Sequence, residues 1–138
     1  MAAPQAGQVE IGPYAITRSV DGAFGEVVER VTAALKEEGF GVLTTIDVQA
    51  TLKAKLDLEV EPYLILGACN PVLASQGLAL EPDLGVLLPC NVVVREERGS
   101  VVVSAMEPLA AMGLAGNTEL ASLGADARQR IERAVRAL

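Results

Sequence analysis

The chain has 138 residues, enough for one domain with its own core and too few for two. Its formal net charge of −7 argues against a nucleic-acid partner, because phosphate contacts need a positive surface. Histidine is absent, which excludes Ser-His-Asp and Cys-His catalytic machinery, histidine metal sites and histidine proton shuttles.

Half of the residues (51%) are apolar, with no Trp, two Phe and two Tyr, so the core must be aliphatic and closely packed. A mean hydropathy of +0.37 is high for so small a chain. It points to an apolar patch beyond the core, buried in a homo-oligomer. Residues Met1 to Gln8 carry neither the basic nor the apolar region of a leader, and no run approaches the ~18 apolar residues of a membrane span. The expected setting is therefore the cytoplasm, where thiols stay reduced and a Cys69–Cys90 disulfide is disfavoured.

In chain order, residues 1 to about 10 are expected to be a flexible tail, and 11–138 a single domain. Tyr14, Ile16, Arg18 and Val20 alternate with Ala15, Thr17 and Ser19, predicting a first strand. Asp21 is a candidate N-cap for a helix whose stripe is Phe24, Val27, Val28, Val31 and Leu35, with Gly39 as its stop. Val42 to Val48 alternates as a second strand, followed by a short helix over 49–56 that Asp47 can cap. Tyr63 to Cys69 is almost wholly apolar, as an interior strand is. Asn70-Pro71 then starts a helix, since Asn favours the N-cap and Pro the first helical position.

A further strand is expected over 86–96, interrupted by Pro89. Glu96-Glu97-Arg98-Gly99 is a polar turn, and Val101 to Met106 returns antiparallel. Pro108 begins a helical turn that Gly113 ends, and a terminal helix over 118–138 presents Leu120, Leu123, Ala127, Ile131, Val135 and Leu138. Gly124 should weaken that helix, and Arg128, Arg130, Arg133 and Arg136 should form an ordinary solvated face. The order β-α-β-(α)-β-α-β-β-α-α predicts an α+β fold, a largely antiparallel sheet of about five strands with helices packed on one face.

Chemistry is expected at the doubled Cys-Asn dipeptides, Cys69-Asn70 and Cys90-Asn91, each beside a proline. A helix opening at Pro71 would place Cys69 near unpaired N–H groups, which favour thiolate. As inert apolar filler, the same thiol would stay protonated. Cys90 alternates with Leu88, Val92 and Val94, and a sulfur in that company would be buried. Asn91 lies in an apolar run with no other hydrophilic residue from Leu87 to Val94, so its amide needs a partner, either the broken ladder at Pro89 or a ligand. The chain has no P-loop, GxGxxG, CxxC or carboxylate cluster at metal spacing. No cofactor is expected.

Three segments carry a family resemblance: Gly39 to Asp47, Tyr63 to Pro71, and Leu87 to Val94. Together they resemble the domain-of-unknown-function family DUF302 over about Tyr14 to Met106. The resemblance implies a TATA-binding-protein-like α+β fold, often homodimeric, and no biochemical activity. Cys69, Asn70, Cys90 and Asn91 all match its pattern and form the expected ligand-binding set. The first functional expectation is a small-molecule or soft-metal binding module with these four residues lining a pocket between sheet and Pro71 helix. Two thiols fall short of the four ligands zinc wants, so a metal would call on two chains. The alternatives are a thiol enzyme (sulfur transfer or peroxide reduction) with Cys69 as nucleophile and Cys90 as resolving thiol, and a purely structural homodimer.

Overall fold

The computed structural model describes residues 7–138. Six strands form one antiparallel sheet: β1 (Val9–Ile11), β2 (Ala15–Val20), β3 (Gly41–Asp47), β4 (Tyr63–Cys69), β5 (Cys90–Glu97) and β6 (Ser100–Met106), in the order β1-β2-β6-β5-β4-β3. The helices are α1 (Phe24–Glu37), α2 (Val48–Leu56), α3 (Pro71–Leu80), α4 (Pro108–Gly113) and α5 (Thr118–Arg136), with a 3-10 turn at Pro82–Leu87. The expected α+β class and antiparallel sheet hold, with one strand more.

That extra strand is β1, which pairs Val9 with Arg18 and Ile11 with Ile16. It corrects the expectation of a tail to residue 10; the first six residues of that tail lie outside the described residues. Three residues are too short for alternation to register, so only pairing with β2 reveals the strand.

One face of the sheet is covered. Ile16, Val20, Leu66, Ala68, Cys90, Val92, Val94, Val101, Val103 and Ala105 point to it and meet Val27, Val31 and Leu35 of α1 and Ala127, Ile131, Ala134 and Val135 of α5. Full burial of a side chain such as Ile131 contributes about 1.5–3 kcal/mol. Arg18 also leaves the sheet on this side, and its Nη1 donates to the carbonyls of Val135 (3.0 Å) and Arg136 (2.7 Å) at the end of α5. A smaller cluster of Leu84, Met112 and Leu120 extends the core under α3 and α4.

Local signals place most boundaries. Asn70 caps α3, its Oδ1 accepting from Leu73 N at 3.1 Å, and Asp47 caps α2 through Ala50 N at 2.9 Å. Asp21 does not cap α1; Ala23 holds that position, because Gly22 turns the chain at φ +128° and the Asp21 carbonyl instead accepts from Arg30. The expected strand over 86–96 starts only at Cys90. Pro82 opens a 3-10 turn, and Pro89, lacking an N–H, cannot join the ladder. Gly124 does more than weaken α5: a Cβ there would stand 3.1 Å from Met112 Cβ, so its bareness lets α4 pack against the helix. None of the five described helices is long and apolar enough to cross a membrane.

Candidate functional site

The end of β4 and the start of α3 form one corner of the molecule. Asn70 is 8% exposed; its Oδ1 serves the cap, while its Nδ2 lies against Gly39, where a Cβ would come within 2.9 Å. Gly39 adopts φ +84°, the left-handed conformation that ends α1. Asn70 therefore caps α3 while packing beside the end of α1, and the cap occupies the carbonyl half of its amide.

Cys90 lies on the covered face and is 7% exposed. Burial pushes its thiol up to about 11, with the neighbouring Cys69 adding to the rise. A proton held that firmly leaves no thiolate at neutral pH, so Cys90 is poorly suited to be a resolving thiol. Its cross-strand partner is Ala68, one residue out of step with Cys69. Strand alternation thus assigns the two cysteines to opposite faces, although Cys69, as the last residue of β4, also borders the cavity beneath α3. Both cysteines are free, and no group of three or more His, Cys, Asp or Glu suited to a metal ion occurs among the described residues.

The raised Cys90 pKa has a consequence for stability. The folded state holds this proton more tightly than the unfolded chain, so the contribution is complete below the ordinary value of 9.0 and is lost as pH rises through about 11. Between those limits the wild type should lose about 2 kcal/mol more than Cys90→Ala in urea unfolding. In the native protein, iodoacetamide should alkylate Cys69 well before Cys90.

The cavity beneath α3 is apolar and small, about 40 Å³, lined chiefly by Phe40, Leu73, Leu84, Cys90, Met112 and Leu120. That volume holds a water or two and no organic ligand. Three of the four expected residues, Cys69, Asn70 and Cys90, border this cavity between the sheet and α3. Asn91 is the residue left out: it is exposed on the opposite, open face of the sheet, in register with Gly67. Apart from Asn91 the run from Leu87 to Val94 has no hydrophilic residue, but the helices cover only the Cys90 side of it.

Asn91 instead borders an open groove of about 580 Å³. Tyr63, Asn91 and Arg95 project from β4 and β5, Tyr14 precedes β2, and Ala110, Ala111 and Leu114 of the α4 region form the far wall. Arg95 Nη1 donates to Glu97 Oε2 at 2.9 Å, which uses one of the five guanidinium donors. Ser104 and Thr17 hydroxyls pair at 3.1 Å on the same face. Sequence reasoning found Asn91 but missed Tyr14, Tyr63 and Arg95, since these come from three separate segments with no shared motif.

Glu107, which also lines the groove, is a buried carboxylate that accepts from Leu109 N (3.1 Å) and Ala110 N (2.8 Å). Arg128 Nε lies 3.4 Å from it without hydrogen-bond geometry, the one buried side-chain polar atom without a partner among the described residues. Glu107-Pro108 repeats the polar-cap-then-proline signature of Asn70-Pro71, which was the available clue. Arg130, Arg133 and Arg136 pair with Asp126, Glu38 and Glu132 at 2.7, 2.8 and 3.0 Å. The arginines of α5 thus form carboxylate pairs.

Comparison with known proteins agrees with this fold. The crystal structure of an uncharacterized conserved DUF302 protein from Bacillus stearothermophilus superposes with a TM-score of 0.82 at 32% identity, covering 90% of this chain and 98% of that one. No curated protein matches the sequence. The family model described as "Domain of unknown function DUF302" matches residues 16–138, and the chain belongs to that family.

Proposed function

We propose that this domain is a small-molecule binding module whose site is the groove on the open face of the sheet. The observation that carries this reading is the groove's size and lining: about 580 Å³, with the Asn91 amide and Arg95 guanidinium between Tyr14 and Tyr63. Its volume falls in the usual range for small-ligand sites, which combine apolar walls with a few convergent polar groups. Asn91 offers both a donor and an acceptor, Arg95 supplies a positive fork, and the tyrosines supply flat walls. The matching ligand is a small organic carboxylate with a planar apolar body. Relative to the four-residue Cys-Asn expectation, Asn91 keeps a binding role, Asn70 becomes a cap, and the thiols lie outside the groove.

The test is titration with benzoate and 4-hydroxybenzoate, read by chemical-shift changes of the Asn91 side-chain amide. Binding should perturb Asn91 and the neighbouring Val93 and Ser104 amides, and Asn91→Ala or Arg95→Ala should weaken it by about tenfold each. Asn70→Ala should leave the affinity unchanged. Perturbations confined to Leu73 and Cys90, or none at all, would reject the groove as the site for this ligand class.

A further inference from the structure

One segment of the fold, Gly41 to Leu58, buries almost nothing. Strand β3 is the outermost strand beyond β4, and six of its seven residues are exposed, including Leu43 (68%) and Ile46 (50%). Helix α2, which follows directly, has no buried residue, and the exposed Leu56 and Leu58 close the same segment. Ordering roughly twenty residues costs conformational entropy that buried apolar area normally offsets, and here that burial is missing.

The outer edge of β3 also presents backbone N–H and C=O groups with no neighbouring strand. Natural edges of this kind are guarded by shortness, lysine, proline, charge or a bulge. The opposite edge, β1, is guarded by being three residues long. β3 has no proline or lysine, and its single charge, Asp47, is engaged in capping α2. A bulge between Val42 and Thr44 disturbs only its first half, which leaves Thr44 to Asp47 regular.

We propose that β3 is the homodimer interface, two copies adding edge to edge across a two-fold axis to form one twelve-stranded sheet. A free strand edge is recognised by another strand edge, and antiparallel pairing of identical edges is self-complementary. Charge selects this face over the other exposed apolar patch. A protein of net charge −7 repels its own copies, and the stretch from Phe40 to Ile46 is uncharged. The patch formed by Val86 and Leu114 borders Glu81 and Asp83, so two copies meeting there would bring like charges together. Pairing centred on Thr45 sets Thr44 of one copy opposite Ile46 of the other, on the same side of the sheet, and keeps the two Asp47 residues apart. The high mean hydropathy of the chain has its outlet here.

Sedimentation velocity on the full chain from micromolar to hundreds of micromolar concentration tests this interface. The wild type should be dimeric, and Ile46→Lys and Leu43→Lys should each raise the dimer dissociation constant by about tenfold or more. Both sites are exposed, so far-UV circular dichroism of the variants should stay that of the wild type. Leu114→Lys should remain dimeric. A monomeric wild type throughout the range, a dimer unaffected by both β3 variants, or a dimer broken only by Leu114→Lys would overturn the proposal. Amide exchange gives an independent readout: protection at residues 44–47 should rise with protein concentration, and constant protection there counts against the interface.

Discussion

Leu120→Ala should lower the stability of the domain by about 3 kcal/mol, measured as a fall in the urea midpoint at unchanged m-value. Leu120 is fully buried where α5 meets Met112 of α4 and Leu84 of the 3-10 turn, and it lines the small cavity beneath α3. Truncation removes its transfer free energy and merges the lost volume with the existing void of about 40 Å³. The site has little means of collapse, since α4 already packs so closely on α5 at Gly124 that even an added Cβ there would stand only 3.1 Å from Met112. The loss should therefore lie well above the ~1 kcal/mol typical of point substitutions. A loss below about 1 kcal/mol would show that α3 and α4 close over the gap. The enlarged cavity stays apolar, and benzene should then stabilise the variant but not the wild type.

Gly67→Val should be nearly as damaging, about 3 kcal/mol, for the opposite reason. Gly67 is buried in the middle of β4 on the open face, where a Cβ would run into Thr44 Oγ1 from β3 and come within 2.9 Å of Pro89 Cγ. No empty space exists for even one methyl group: Thr44 must give up its rotamer, and the proline ring on the other side is rigid. Double-mutant analysis checks the cause: Gly67→Ala in a Thr44→Gly background should lose less stability than Gly67→Ala alone, by about 1 kcal/mol. Simple additivity of the two substitutions would show that the glycine serves chain flexibility instead of clearance.

Several of these features were readable from local pattern. The stripe from Phe24 to Leu35 located α1, because a helix with one buried side must repeat its apolar residues at that spacing. Asn70-Pro71 located the start of α3, because the first-turn N–H groups need an acceptor close in sequence. The turn at Arg98-Gly99, both in left-handed conformation, set the hairpin pairing Glu97 with Ser100. Alternation also grouped Cys90 with Val92 and Val94, and separated Asn91 from them.

What alternation left open was which of those two sides the helices would cover. A run such as Leu87 to Val94 looks the same whether one face or both are buried. The groove around Asn91 depends on Tyr14 and Tyr63, brought near by strand order, which no single segment encodes. Clearance at Gly67 depends on Thr44 and Pro89, lying on either side of it in sequence and more than twenty residues away.

By itself, then, the sequence determined most element types, the Asp47 and Asn70 helix caps, the antiparallel hairpin and the family. These follow from interactions among residues a few positions apart, whose geometry the chain imposes. Tertiary structure alone decided that Asn91 is exposed, that Asn70 packs beside the end of α1, that Glu107 is a buried cap beside Arg128, and that β3 is left with an unpaired edge. Each of these depends on which distant segments cover a surface, and that is set by the packing of the whole chain.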